Sequence, residues 1–192
     1  MAPDIDYMTL SAGDVATRLE EIAREVDATF GSHTARQLNW RPDPTRWSVA
    51  QCLEHLVASN RMMLEQMEAA LAPGAARSVW QRLPVLPAMF GRMLVTSQAP
   101  GKGMKAKTSP AATPTSSDIG PDVIARFGAQ HAMLATRARA LTAAQAHVVM
   151  TSPFAAFVCY PALDGWRLMV SHGWRHVEQA RGVTQAPGFP AP

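Results

Sequence analysis

Cysteine is scarce: Cys52 and Cys159 are the only two in 192 residues. They are too few and too far apart for a disulfide framework or a four-thiolate zinc module, and they are expected to stay reduced. Acidic residues are missing from a long internal stretch. Between Glu68 and Asp118 there is none, while Arg77, Arg82, Arg92, Lys102, Lys105 and Lys107 place six positive charges there. The whole chain holds 18 basic and 15 acidic residues for a net +3, so the rest of it, with 12 basic residues against the same 15 acidic ones, carries −3. The basic character therefore belongs to one connecting segment. Basic residues are not interleaved with aromatic ones, and a nucleic-acid partner is excluded.

Long apolar runs are also lacking. The two most apolar windows, Leu83–Val95 and Pro153–Leu163, contain prolines and fall short of the roughly 18 to 20 residues that span a bilayer, so no membrane contact is expected. The opening MAPDIDYMTL has two aspartates and no basic start leading into an apolar stretch, which does not read as a secretory signal and leads to the expectation of a cytoplasmic protein. There is no glycine-rich phosphate loop, no nucleophile elbow and no pair of catalytic carboxylates. What is present is a 47% hydrophobic composition with 17% charge, enough to fill one core. Residues 1–184 are read as a single domain, with 72–120 as a long basic crossover and 185–192 as a flexible tail.

Helical periodicity organises the chain. Val15, Leu19, Ile22, Val26 and Phe30 recur at spacings of three and four between charged residues, which predicts a first helix over 14–30. Trp40, Pro42, Pro44 and Trp47 then form a connector that prolines keep from being helical, pinned by two indoles. Ser48 and Gln51 fit a capping box, so a second helix runs to Leu71 with Val49, Cys52, Leu56, Met63 and Met67 on its buried stripe. Pro73-Gly74 ends it. The crossover that follows has one apolar island, Trp80 to Val95, and its lysines read as a solvated loop tip. Pro121 suits the first turn of a third helix, capped by Asp118 or Gly120 and fading near Ala146. An apolar stretch broken by Pro153 and Pro161 precedes a fourth helix, capped by Asp164, reaching Arg181 and terminated by Gly182. Strand-like alternation is weak throughout. The fold class that follows is all-α, a four-helix bundle.

The histidines carry the chemistry. His172 and His176 stand four residues apart on the fourth helix, about 40° around it and roughly 6 Å along it, a two-ligand half-site. His55 lies on the buried stripe of the second helix. There it must either sit neutral and hydrogen-bonded in the core or share a polar pocket. If the second and fourth helices are neighbours, His55, His172 and His176 supply three neutral nitrogen ligands that leave a divalent ion its full charge and open coordination positions. Glu178 and Gln179 are candidates for orienting those rings. His131 reads as a core residue, and Cys52 as a small apolar group in preference to a thiolate ligand or nucleophile.

Trp47-Ser48 followed by Glu54-His55-Leu56, then His172 with Arg175-His176 and Gln179, resembles the DinB-like family of damage-inducible proteins from the first helix through Gly182. The resemblance implies an up-up-down-down bundle with the long link between its second and third helices, and a divalent metal held by the matching residues His55, His172 and His176. Zinc, nickel, iron and manganese are the candidate ions. It further implies a homodimer and a small-molecule substrate, with relatives that include metal-dependent transferases using low-molecular-weight thiols. A thiol S-transferase or a hydrolase is the enzyme reading; a non-catalytic metal- or ligand-binding stress-response bundle is the alternative. The long basic crossover and the aromatic stretch Pro153 to Tyr160 depart from the plainest members, and either is placed to roof the site.

Overall fold

The computed structural model of the chain describes residues 3–101, 110–114 and 116–191. The crossover tip bearing Lys102, Lys105 and Lys107 lies outside them. The chain is mostly helical, and four long helices surround one apolar core.

Helix α1 (Ala12–Phe30) starts two residues before the boundary that its periodicity predicts, because Ser11 and Asp14 form a capping box: the Asp14 N–H donates to Ser11 Oγ at 3.2 Å and the Ser11 N–H to Asp14 Oδ2 at 2.9 Å. Val15, Leu19, Ile22, Val26 and Phe30 are fully buried, as the spacing predicts. A short helix α2 (Ala35–Asn39) occupies part of the connector. Helix α3 (Val49–Leu71) begins at the predicted box, with Ser48 and Gln51 exchanging hydrogen bonds of 3.1 Å. The apolar island of the crossover folds into a 3-10 turn (Trp80–Arg82) and a helix α4 (Leu86–Ser97), and a further 3-10 turn covers Pro110–Ala112.

Helix α5 (Val123–Arg139) is not capped by Asp118 or Gly120; Asp122 holds the cap position and spends its carboxylate on Arg126 at 2.8 Å. Pro121 accordingly lies just outside the first turn. The helix stops at Arg139, and the residues thought to prolong it form a separate turn, α6 (Ala143–Ala146), with its own Thr142–Gln145 capping box. The next stretch is an antiparallel hairpin of β1 (Val149–Ser152) and β2 (Ala155–Pro161), pairing Val149 with Pro161 and Met150 with Tyr160. This hairpin is a small two-stranded addition to a mostly helical chain, one that the weak strand alternation of the sequence does not foretell. Its prolines bound the strands without breaking them, Pro153 in the turn and Pro161 at the strand end, where a missing N–H costs no ladder bond.

Helix α7 (Ala162–Thr184) follows β2 directly. Asp164 does not cap it but is buried in the first turn, paired with Arg167 at 2.9 Å. Gly182 stays inside the helix with no positive φ, and Gln185 ends it. In the assembled core α1 packs on α5 and α7, and α3 packs on α7 and α5. Helix α4 lies across α7 and β2 from outside. Residues 185–191 fold back: Gln37 Nε2 donates to the Pro190 carbonyl at 3.1 Å, and Phe189 meets the Trp40 ring edge-on at 5.5 Å. No described helix is long and apolar enough to cross a membrane.

Two predictions follow from this packing. A Cβ on Gly91 would stand 2.3 Å from Asp164 Oδ2, which the ion pair with Arg167 holds in place, so Gly91→Ala should cost about 1–3 kcal/mol in denaturant unfolding. His131 is fully buried, donating Nδ1–H to the Phe127 carbonyl at 3.0 Å, and burial lowers its pKa from 6.5 to about 4. An unfolded chain takes up that proton below pH 6.5 while the folded one refuses it. Stability should therefore be complete above that pH and fall progressively toward pH 4, by up to about 3 kcal/mol from this residue. His131→Leu should flatten that slope in urea titrations between pH 7 and 4.5; an unchanged slope would show that the ring contributes nothing to it.

Candidate metal centre

The contact of α3 with α7 brings His55 to His172 and His176 across 117 and 121 positions of sequence. His55 Nε2 lies 3.2 Å from His172 Nε2, and His176 Nε2 lies 3.0 Å from the same atom. All three ligand nitrogens fall within 4.8 Å of one another, so the three can hold one metal ion. Among the described residues, no carboxylate or thiolate belongs to that cluster.

The crossover sets the tautomer of His55. Its Nδ1 is 2.7 Å from the carbonyl oxygen of Ala112, an atom that can only accept, so Nδ1 carries the proton and Nε2 faces inward with its lone pair. One proton shared by the three inward nitrogens satisfies only one of the two short contacts, whereas a cation among them takes a lone pair from each. The donor set therefore fits a divalent ion. Neutral imidazoles suit zinc, nickel and iron in particular, and their preferences do not single one out.

Trp47 closes one side. Its indole stacks on His176 at 5.9 Å and lies 5.0 Å from the His55 ring. His55 and His176 are buried and His172 is half-buried. Further ties hold the crossover over the site. Gln51 Nε2 donates to the Ser116 carbonyl at 3.1 Å, and Arg175 Nη1 donates to Gln98 Oε1 at 3.1 Å. Asn39 fixes Ile119 through both its amide atoms, at 2.8 and 2.9 Å.

Electrostatics keep the rings neutral. Burial holds His172 well below the usual imidazole range, with the neighbouring imidazoles and Arg175 adding to the effect. Burial also lowers His55, against the opposing Ala112 bond, and brings His176 down to about 3. The Gln179 side chain opposes the shift of His176, although His176 Nδ1 has no partner at hydrogen-bond geometry. Glu178, the other candidate for orienting a ring, reaches Arg181, which also holds Glu25.

The other candidates stand apart. His131 is outside the cluster, in the core beside Phe127. Cys52 is fully buried, and its thiol is pushed up to about 12 by burial, which removes it as a nucleophile at neutral pH. A backbone oxygen leaves no mark on residue identity, so the sequence carries no signal of the Ala112 carbonyl. In the sequence Trp47 reads as an anchor of the connector and as the start of the family pattern, not as a wall of the cluster.

Because the three rings are already neutral, uptake of a divalent ion near pH 6 should release fewer than about one proton, against more than two for three ordinary imidazoles. Calorimetric titration in buffers of different ionisation enthalpy measures this number; a release above two would mean that the rings are charged before the ion enters.

The DinB superfamily family model matches residues 18–180. No curated protein and no solved structure matches the chain.

Proposed function

The chain belongs to the DinB superfamily, and from that premise we propose that it is a divalent-metal-dependent enzyme with His55, His172 and His176 as ligands. The observation carrying this reading is the meeting of three inward imidazole nitrogens within 4.8 Å with no acid among them. A divalent ion bound there would keep its whole charge and supply Lewis acidity toward a water or a thiol. The protein's own part is preparation. The Ala112 carbonyl keeps His55 in its ligating tautomer, burial keeps all three rings unprotonated, and Trp47 shields two of them from water. Approach of a small substrate is from the His172 side.

The preferred chemistry is transfer or hydrolysis with a low-molecular-weight thiol as the small-molecule partner, supported by the family resemblance. We also take the four long helices as that family's up-up-down-down bundle, in keeping with their pairings, and a cytoplasmic homodimer as its setting. The second reading, a non-catalytic metal- or ligand-binding bundle, is favoured by the cover that Trp47 and the crossover place over the cluster.

Protein purified without a metal-affinity tag should carry about one equivalent of zinc, nickel, iron or manganese by elemental analysis. His172→Ala with His176→Ala should remove it. The loaded protein should accelerate conjugation of a thiol to an electrophile, and His55→Ala should abolish that rate while circular dichroism keeps its helical signal. A rate untouched by His55→Ala sinks the assignment; bound metal without any thiol or hydrolytic rate favours the second reading.

A further inference from the structure

Eight large hydrophobic side chains stand exposed among the described residues, and seven of them sit on two segments: Val79, Trp80, Val85, Met89 and Met93 on the crossover, Phe154 and Phe157 on the hairpin. These segments pack together, α4 and the Trp80 turn both lying against β2. Helix α4 buries Pro87, Gly91 and Val95 against the protein and turns Met89, Arg92 and Met93 to solvent, so it is apolar on both faces. A surface helix of that kind is normally covered on its second face as well.

Charge says what covers it. Neither residues 69–117 nor residues 147–163 contain an acid, and exposed Arg77, Arg82 and Arg92 form no ion pair among the described residues. A second copy seated here across a two-fold axis would set this uncompensated positive face against its duplicate. An anionic lipid surface neutralises it and takes up tryptophan, phenylalanine and methionine at the headgroup level. Backbone strain marks the same segment. Val85 has φ 69° in a three-residue turn closed by a 2.7 Å bond from the Leu86 N–H to the Pro84 carbonyl, a costly position for a β-branched residue. Its side chain is 79% exposed, so no interior contact offsets the strain.

We propose that the face formed by the Trp80 turn, α4 and the hairpin docks on an anionic membrane surface, with the apolar side chains inserted at headgroup depth and the arginines on lipid phosphates. The contact is peripheral and needs no spanning helix, so it departs from the expectation of no membrane contact, which rested on the length of the apolar runs alone. It is independent of the metal centre.

The full chain should co-sediment with vesicles of mixed phosphatidylglycerol and phosphatidylcholine and not with phosphatidylcholine alone, and raised salt should release it. Met89→Ser combined with Met93→Ser should lower the partition at least about tenfold, and Arg82→Glu and Arg92→Glu, which each reverse a charge, by at least roughly fivefold each. Circular dichroism checks the fold of each variant; should the double methionine variant lose helix, Phe157→Ser and Arg92→Glu carry the test alone. No sedimentation with anionic vesicles overturns the proposal, as does equal partition onto neutral ones. So does a dimer in light scattering that the same substitutions dissolve, which would assign the face to a second copy, or binding to an acidic protein without any to vesicles.

Discussion

Burying imidazoles face to face imposes a condition that the surrounding structure must meet. Three inward nitrogens at 3.0 and 3.2 Å repel any second proton, and among the described residues no carboxylate joins the cluster to compensate one. The rings must stay neutral, and a neutral ring must be told which nitrogen keeps its hydrogen. For His55 that instruction comes from the Ala112 carbonyl, which belongs to neither long helix of the cluster. The arrangement is thus a joint product of two core helices, which set position, and a surface connection, which sets chemical form.

This dependence gives the crossover a purpose beyond linking α3 to α5. Its described parts are tied to the protein at Gln98, Ala112, Ser116 and Ile119, by side chains from α7, α3 and α2. Each tie is one hydrogen bond or a pair, individually worth about 1 kcal/mol. Together they hold an irregular segment in register with a buried ring, a task for which hydrophobic burial alone is too undirected.

Much of this was legible in the sequence, for identifiable reasons. The stripe of α1 and the Ser48–Gln51 box of α3 rest on local rules, periodicity and capping, and both hold to within a residue or two. His172 and His176 were readable as a pair because one helix fixes their geometry, and His55 joined them through its place on the buried stripe of the second helix and through the family pattern. What failed was where distant packing decides. Asp164 reads as a cap in the sequence, but α4 buries it against Gly91, and Gly182 reads as a terminator although the helix continues two residues beyond it. The hairpin was hidden because α4 covers part of β2, so its burial does not alternate cleanly. A backbone carbonyl on an imidazole has no sequence signature at all.

Trp47 is one of five tryptophans, yet it alone is stacked on a ring of the histidine cluster. An indole excited beside a paramagnetic centre loses its emission by energy and electron transfer over a few ångströms, while a closed-shell ion leaves it bright. The stacking of Trp47 on His176 would therefore let an open-shell ion held by the cluster, nickel or iron, dim this one indole where zinc would not.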